Sequence, residues 1–331
     1  MSSVPSSLYT TPMPSPAAAL AAELARKFGE GAEIRPGEPM SARCTFEVGG
    51  PAECFVRPSA QTFRELAPLL AAGAHCEGIP VFVLGAGANI VPADSGIPGI
   101  VIDTGAHSGG IVLEDLRMRF NCGTSLDDAA KAAAAAGLSG LEFFAGMPGS
   151  IGGAVTMNAR CYGLDTAGVL AETEYADYAS GVPLLRTETT EAALYGYKES
   201  PFRRRRAVIL SATFALKAGD PAEIRAAMEG YRRDRRRKGH YRLPSAGSVF
   251  KNSPAFGMPV GRLVDLLGLR GLGVGGARVA PWHGNIIVNE GRAAAADIAA
   301  LTRMLAARVR EAVGTAPEPE VLFVGGGEMG N

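Results

Sequence analysis

A chain of 331 residues is long enough to bury two or three cores, and its 33 basic and 33 acidic side chains cancel, so no overall field favours nucleic acid or an anionic membrane. Five cysteines (Cys44, Cys54, Cys76, Cys122, Cys161) are scattered, odd in number and free of Cys-x-x-Cys pairs, which argues against zinc or dithiol chemistry and fits a reducing, cytoplasmic compartment. No segment supplies about twenty uncharged apolar residues, so no membrane span is expected.

The opening MSSVPSSLYTTPMPSP has neither a basic n-region nor a long apolar run; residues 1–16 read as a disordered tail and not as a signal peptide. Ala17–Phe28 has the make-up of a short amphipathic helix. From Cys44 to Asp103, strand-like runs at Cys54–Val56, Val81–Leu84 and Ile100–Ile102 alternate with one helix near Gln61–Ala72. Among them Phe82–Val91, FVLGAGANIV, runs from a strand directly into Gly85-Ala86-Gly87. The dinucleotide fingerprint needs a third glycine at position 90 and a helix after it. Ile90 stands there, and Pro92, Gly96, Pro98 and Gly99 break any helix, which argues against a Rossmann crossover. A strand–loop–strand of this kind holds phosphate when successive backbone N–H groups converge on the anion. It is equally an ordinary tight turn, and the residues alone leave both readings open.

Thr124–Ala136, TSLDDAAKAAAAA, is the clearest helix of the first half: Ser125 suits its N-cap, Asp127 and Asp128 its positive end, and Gly137 its stop. In Gly146–Gly163, GMPGSIGGAVTMNARCYG, small residues would let a flat ligand or a pyrophosphate lie on the backbone, or simply allow a tightly turned loop. No Gly-Lys-Ser/Thr closes it, so it is no Walker loop. Val182–Leu194 and Ala207–Lys217 read as strands, which makes the first two hundred residues mixed α+β. Asp220 and Pro221 start a helix reaching about Lys238. Beyond it come GSVFKN, a helix near Arg262–Leu267, a glycine-rich stretch at 271–276, a strand at Asn285–Asn289 and a last helix, Ala294–Val313. Ile298, Leu301, Met304, Leu305 and Val309 form its core-facing stripe. Pro317–Gly325 is a strand able to return to the first domain.

Three further features carry chemistry or its bland alternative. The arginine runs at 203–206 and 232–238 are either solvated faces or anion clamps. Ser248 lacks the G-x-S-x-G elbow, and only His75, His107, His240 and His283 are present as bases, so a hydrolytic triad is disfavoured. Glu318 and Glu320, two apart, share a face if extended; surface placement is ordinary for such residues, but a carboxylate at a domain cleft can do acid chemistry.

In order, TFEVGGPAECFVRP (45–58), VLGAGANIVPADSGIPGIVI (83–102), GLSGLEFFAGMPGSIGGAVTMNA (137–159), YGYKESPF (195–202), PSAGSVFKN (244–252), GLRGLGVGGARV (268–279) and EPEVLFVG (318–325) resemble the successive motifs of the UDP-N-acetylenolpyruvoylglucosamine reductase family. The likeness covers roughly residues 40–325. The short gap between YGYKESPF and Ser248 is similar to the branch lacking a tyrosine-bearing insertion.

That resemblance implies an α+β, PCMH-type FAD-binding fold with two FAD-binding subdomains and a C-terminal α/β substrate domain. The implied divisions are 17–84, completed by 317–331, then 85–220 and 221–316. FAD would be reduced by NADPH, and the enolpyruvyl ether of UDP-N-acetylglucosamine would receive hydride at C3 and a proton at C2. No nucleic acid or membrane partner is implied. Gly85, Ala86, Gly87, Ala88 and Asn89 would cradle the pyrophosphate, while Gly146, Met147, Pro148, Gly149, Ser150, Gly152 and Gly153 would run beside the flavin ring, with Arg235 toward it. Ser248 matches the proton donor, and Lys198 and Glu320 the pair that stabilises the enolate-like charge. Tyr197, Lys238, Asn252 and His283 would meet substrate. The pattern departs from the family at Lys198, where an arginine is usual, at Ala88 for serine, and in NARCYG for NIGAYG. A related FAD-dependent oxidase of small alcohols or hydroxy acids is the alternative reading within this fold, and a non-catalytic flavin or UDP-sugar binder the alternative outside enzymology.

Overall fold

Strands of the first sheet alternate their side chains between two separate cores. Ala32–Pro39, Pro51–Pro58, Ile97–Asp103 and Val81–Leu84 lie side by side in that order in the computed structural model, which describes residues 14–29 and 31–326. The first pair is antiparallel and the other two pairings are parallel. Cys54, Val56, Ile100 and Ile102 enter one core, with helices α1 (Pro16–Arg26) and α2 (Phe63–Cys76), whereas Ala52, Phe55 and Val101 enter a second core shared with the C-terminal residues. The period-two geometry of a strand sends neighbours to opposite faces, and covering both faces is what parallel strands require.

Two expected divisions shift. The tail expected over 1–16 lies outside the described residues as far as 13, but the Ser15 hydroxyl already caps α1 by accepting from the Ala18 N–H at 3.3 Å, and Pro16 opens the helix. The expected boundary at residue 84 cuts through the first sheet, because Ile97–Asp103 is an inner strand between Pro51–Pro58 and Val81–Leu84. The glycine loop is thus an excursion out of this sheet, passing through a short strand, Ile90–Pro92.

A second, antiparallel sheet is ordered 184–189, 170–177, 207–215, 117–121 and 110–112. Its strand Leu170–Asp177 escapes the sequence reading because LAETEYAD carries Glu172, Glu174 and Asp177 among few apolar residues. The structure satisfies the most enclosed of these: Glu174 accepts from Arg64 at 2.8 Å and from Ser211 at 2.8 Å. Against this sheet pack α3 (Leu126–Ala135), capped by Ser125, and α4 (Ile151–Met157), capped by Ser150. Helix α4 falls in the segment read as a possible loop. Two glycines there cost on the order of 1 kcal/mol each in helix propensity, but a Cβ at Gly152 would lie 3.0 Å from the Cys122 Cβ, so the glycine permits close approach to the sheet.

The helix α5 (Pro221–Arg237) begins at the expected Asp220 cap, whose carboxylate accepts from the Ala222 N–H at 2.7 Å. The C-terminal part comprises α6 (Val260–Leu266), a sheet of Gly273–Val274, Ala277–Val279 and Ile287–Asn289, and α7 (Ala295–Val313). In α7, Ile298, Leu301, Leu305 and Val309 are buried as expected, while Met304 is 39% exposed, one residue outside the stripe. Leu322–Val324 then pairs in parallel with Ile90–Pro92, so the returning strand docks on the glycine-loop excursion; residues 327–331 of the expected completing segment lie outside the described residues.

Asp127 ties α3 to α5. Burial by itself would raise its carboxyl, but hydrogen bonds from Lys131 at 2.8 Å, Arg232 at 2.6 Å and the Gly146 N–H at 2.7 Å pull it down to about 2. A folded value below the unfolded one of about 3.9 gives stability that is present above pH 4 and lost as pH falls toward 2. Asp127→Asn is expected to lower the unfolding midpoint by a few degrees near neutrality and to flatten the decline between pH 4 and 2. Thermal melts of both proteins from pH 7 down to pH 2 check this.

Candidate active site

The glycine loop, α4, the turn at Tyr197–Lys198, the end of α5 and the segments around Ser248 and Glu320 converge on one cavity of about 1570 Å³. That exceeds the roughly 300–1,000 Å³ usual for a single small-molecule pocket, so there is room for two ligands. Six cationic side chains line it (Arg160, Lys198, Arg203, Arg205, Arg235, Lys238), against one carboxylate, Glu320.

At one side lie Gly85–Asn89. Among the described residues, no protein acceptor takes the backbone N–H of any of these five. Gly87 has φ +63°, and a Cβ there would fall 2.1 Å from the Arg43 carbonyl oxygen, so position 87 tolerates only glycine. The result is a run of available donors in the cavity lining, which a polar ligand could use. The Asn89 side chain is committed elsewhere, its Nδ2 donating to the Glu320 carbonyl at 3.1 Å.

The second small-residue segment behaves differently. Met147, Pro148, Gly149, Ser150, Gly152 and Gly153 all line the cavity, but the N–H groups of Ile151, Gly152 and Gly153 donate to the Thr124 carbonyl, the Cys122 carbonyl and the Ser150 hydroxyl. This segment therefore offers a flat wall and no comparable set of donors. Gly146 is not on the wall: its N–H donates to Asp127 and its carbonyl accepts from the Tyr241 hydroxyl.

In the same cavity, Lys198 Nζ donates to Glu320 Oε1 at 2.6 Å, with the two side chains only 14% and 12% exposed. Lys198 holds φ +60°, a left-handed conformation costing on the order of 1–2 kcal/mol for a residue with a Cβ. The turn survives because Gly196 and Glu199 exchange backbone hydrogen bonds at 3.1 and 3.2 Å, and because Asn158 Nδ2 donates to the Gly196 carbonyl at 2.8 Å. Asn158 is itself the left-handed C-cap of α4, at φ +43°. Glu320 is set by its N–H, which donates to the Val249 carbonyl at 2.7 Å, one residue beyond Ser248. Ser248 lines the same cavity. The three groups of opposite sequence origin thus meet in one place.

Two comparisons bear on the family. The C-terminal domain model of UDP-N-acetylenolpyruvoylglucosamine reductase matches residues 239–324, and an FAD binding domain model matches residues 61–181. The reductases of Treponema pallidum and of Synechococcus sp. WH7803 are 37% and 38% identical, over 88% and 87% of this chain and 93% and 92% of their own. The crystal structure of the enzyme from Thermus caldophilus superposes with a TM-score of 0.71 at 33% identity, covering 88% of this chain and 98% of that one. The chain belongs to the UDP-N-acetylenolpyruvoylglucosamine reductase family.

With that family comes the PCMH-type FAD-binding fold, and the cavity fits FAD on its own terms. Available N–H donors at Gly85–Asn89 suit a pyrophosphate, and the small-residue wall beyond suits a planar ring. No group of three or more metal-ligating side chains occurs among the described residues, and no described helix is long and apolar enough to cross a membrane.

Of the remaining expected residues, Tyr197, Arg235, Lys238 and Asn252 line the cavity. Arg235 is 6% exposed, its Nη2 touches the Cys161 sulfur at 3.2 Å, and it has no carboxylate partner among the described residues. Lys238 pairs with Asp234 at 2.6 Å, and Asn252 accepts from the Val260 N–H at 2.9 Å. His283 does not line the cavity. Its Nδ1 accepts from the Asn285 N–H at 3.1 Å and its ring lies against Gly261 of α6, so it braces the substrate part of the chain. His240 is the histidine on the wall. Burial, followed by the nearby Arg235, His283 and Lys238 charges, lowers it to about 4, so the ring is neutral at physiological pH. Tyr162 also lines the cavity, stacked on Tyr231 with ring centroids 4.2 Å apart. Its signal was the Tyr162-Gly163 pair, which makes the two-residue turn between Arg160–Cys161 and Leu164–Asp165. Glu318 and Glu320 do not share a site: Glu318 is 68% exposed and pairs with Lys251.

Gly87→Ala is expected to yield protein without bound flavin, because both the backbone conformation and the Arg43 contact fail. Gly78→Ala, at a similar φ of +68° but in open space, is expected to cost about 1 kcal/mol of stability and no flavin. Flavin absorbance of the two purified variants distinguishes them.

Proposed function

We propose that this chain reduces the enolpyruvyl ether of UDP-N-acetylglucosamine to UDP-N-acetylmuramate, with NADPH as the source of electrons. The observation that carries this reading is the Lys198–Glu320 pair, 2.6 Å apart and largely enclosed, which lines the same cavity as Ser248 and the donor-rich loop. Bound FAD would accept hydride from NADPH and deliver it to C3 of the ether. The remaining steps fall to side chains of this chain.

Addition of hydride to an alkene conjugated with a carboxylate builds negative charge on the carboxylate side. Preorganised donors directed at that charge lower the barrier. Lys198 supplies an ammonium there, held in place by Glu320 and by the constrained turn. A lysine is a point charge with three rotatable donors and lacks the planar fork of arginine, so it neutralises the charge with less control over carboxylate orientation. The Ser248 hydroxyl then gives its proton to C2. Serine is a weak acid, and the enolate-like carbon is a base strong enough to take the proton.

Lys238 and Arg160 provide positive charge for the nucleotide diphosphate of the substrate, and Arg235 lies toward the flavin. Asn252 contributes a polar edge beside them. The division into two FAD-binding parts and a substrate part closing near residue 316 belongs to the same reading, as does a cytoplasmic location, which all five cysteines being free thiols supports.

Ser248→Ala is expected to retain FAD and to be reduced by NADPH at the normal rate, while reoxidation by the enolpyruvyl UDP-sugar falls by about 10²–10⁴-fold. Anaerobic stopped-flow absorbance reads both half-reactions; unimpaired reoxidation by this variant would remove Ser248 from the mechanism. Lys198→Arg is expected to retain reoxidation within about tenfold, whereas Lys198→Met loses about 10²–10³-fold. If the wild-type flavin, once reduced, is not reoxidised by this substrate but reacts with oxygen in the presence of a small alcohol or hydroxy acid, the reductase reading is wrong.

A further inference from the structure

Lys251 is buried at 8% exposure beside the cavity, yet does not line it. Its Nζ donates to Glu199 at 2.9 Å and to Glu318 at 2.6 Å. Each partner occupies a telling position. Glu199 follows Lys198 in the constrained turn, Glu318 stands two residues before Glu320, and Lys251 itself lies three residues after Ser248. A single ammonium therefore ties together the three segments that carry Ser248, Lys198 and Glu320. Backbone bonds complete the join on one side only: the Lys251 N–H donates to the Glu318 carbonyl at 2.9 Å and the Glu320 N–H to the Val249 carbonyl. The turn bearing Lys198 has no such backbone link to either segment among the described residues; it is held there by side chains, through Glu199 and through the Lys198–Glu320 pair.

We infer that Lys251 is a positioning residue for the reaction: by clasping Glu199 and Glu318 it fixes the Lys198–Glu320 pair at the distance and angle that the developing charge requires. This rests on the reductase reading given above. An ammonium with two carboxylate partners in a partly enclosed site makes charge-assisted hydrogen bonds with defined geometry. Removing it leaves two carboxylates next to each other with no cation between them, and Arg203, 3.1 Å from Glu199, is free to draw that residue and its turn away from Glu320. Misplacement of a catalytic group by even about 1 Å costs on the order of 10²-fold in rate.

The test uses the full-length flavin-loaded protein and separates the half-reactions. Lys251→Met is expected to keep FAD and the normal rate of reduction by NADPH, and to slow reoxidation by the enolpyruvyl UDP-sugar about 30–100-fold, chiefly in the limiting rate and not in the apparent affinity. Lys251→Arg is expected to restore it to within about threefold, since the guanidinium reaches both carboxylates. In a Lys198→Met background the Lys251→Met change is expected to cost nothing more, because there is no pair left to position. A general structural defect would slow both half-reactions and add to Lys198→Met. Should Lys251→Met fail to accumulate with flavin, Glu318→Ala, at a 68% exposed site, removes one acceptor of the clasp and is expected to slow reoxidation about threefold to tenfold with the same non-additivity. Wild-type reoxidation in Lys251→Met or, where that variant does not fold, in Glu318→Ala, or full additivity with Lys198→Met, overturns the inference. Failure of the wild-type protein itself to reoxidise with this substrate is a different result and counts against the reductase reading.

Discussion

The segment from Glu318 to Val324 is the constraint on which the site depends. Over seven residues it makes backbone contacts with two distant parts of the chain. Its first half runs beside Ser248–Lys251, through the Lys251 N–H to Glu318 and the Glu320 N–H to Val249. Its second half pairs in parallel with Ile90–Pro92, directly after the donor-rich loop. Asn89 closes the connection by donating from its side chain to the Glu320 carbonyl. The loop that suits a pyrophosphate and the carboxylate proposed for catalysis are therefore held in register by hydrogen bonds of fixed length, and no loop needs to order itself to bring them together. Preorganisation of this sort lowers the cost of assembling a site at the moment of reaction.

The turn that carries Lys198 is held by strain and its compensation. Asn158 and Lys198 both occupy the left-handed region. Asparagine visits it readily because its short amide bonds locally, and here the amide works in both directions, donating to Gly196 and accepting from the Ala167 N–H at 3.0 Å. Lys198 has no such local excuse. Its conformation is retained because the Gly196–Glu199 bonds and the ion pair with Glu320 over-determine it, and strain of this kind persists where surrounding structure enforces it. A flexible lysine in a relaxed loop would search many rotamers; in this turn its ammonium is presented from a fixed origin, which recovers part of the orientation that an arginine fork would give.

Much of this was legible in the sequence, and the failures have physical causes. Helices with caps and apolar stripes were evident because local signals agree: Ser125, Asp220 and, apart from the exposed Met304, the Ile298–Val309 stripe do what their residue types predict. Strand Leu170–Asp177 was hidden since its most enclosed carboxylate, Glu174, is satisfied by Arg64, more than a hundred residues away, and by Ser211. Helix α4 was hidden because its glycines are bad helix formers, of which Gly152 is required for the approach to Cys122. The division at residue 84 failed for a topological reason, as parallel pairing with Ile97–Asp103 is a long-range choice. Ordered motifs singled out Lys198, Ser248 and Glu320, which line one cavity, but not what secures them: neither the spacing of Lys251 from Glu199 and Glu318 nor that of Asn89 from Glu320 marks them as partners. His283 was placed by resemblance on a wall that His240 occupies.

The charges of the cavity indicate how the two ends of a nucleotide sugar would be treated. Arg203 is engaged by Glu199, Arg205 by Glu188 at 2.5 Å and Lys238 by Asp234. Lys238 is 47% exposed, and an exposed pair is worth only about 0–1 kcal/mol, so an incoming phosphate exchanges one partner for another at little cost. Among the described residues Arg235 has no carboxylate partner, and Arg160 reaches Asp165 only at 3.8 Å while lying over the Tyr197 ring. Lys198 and Glu320 are the enclosed exception, since parting them would leave a buried charge uncompensated. Under the proposed function, the diphosphate of a nucleotide sugar, with one negative charge on each phosphorus, would be drawn to the loosely held cations Lys238 and Arg160, and the enclosed pair would be left for the smaller charge that develops at the reacting carbons. The neutral His240 ring adds no further cation to the cavity lining. Separating loosely held from tightly held charge would let one open cavity bind an anion and stabilise a transient one.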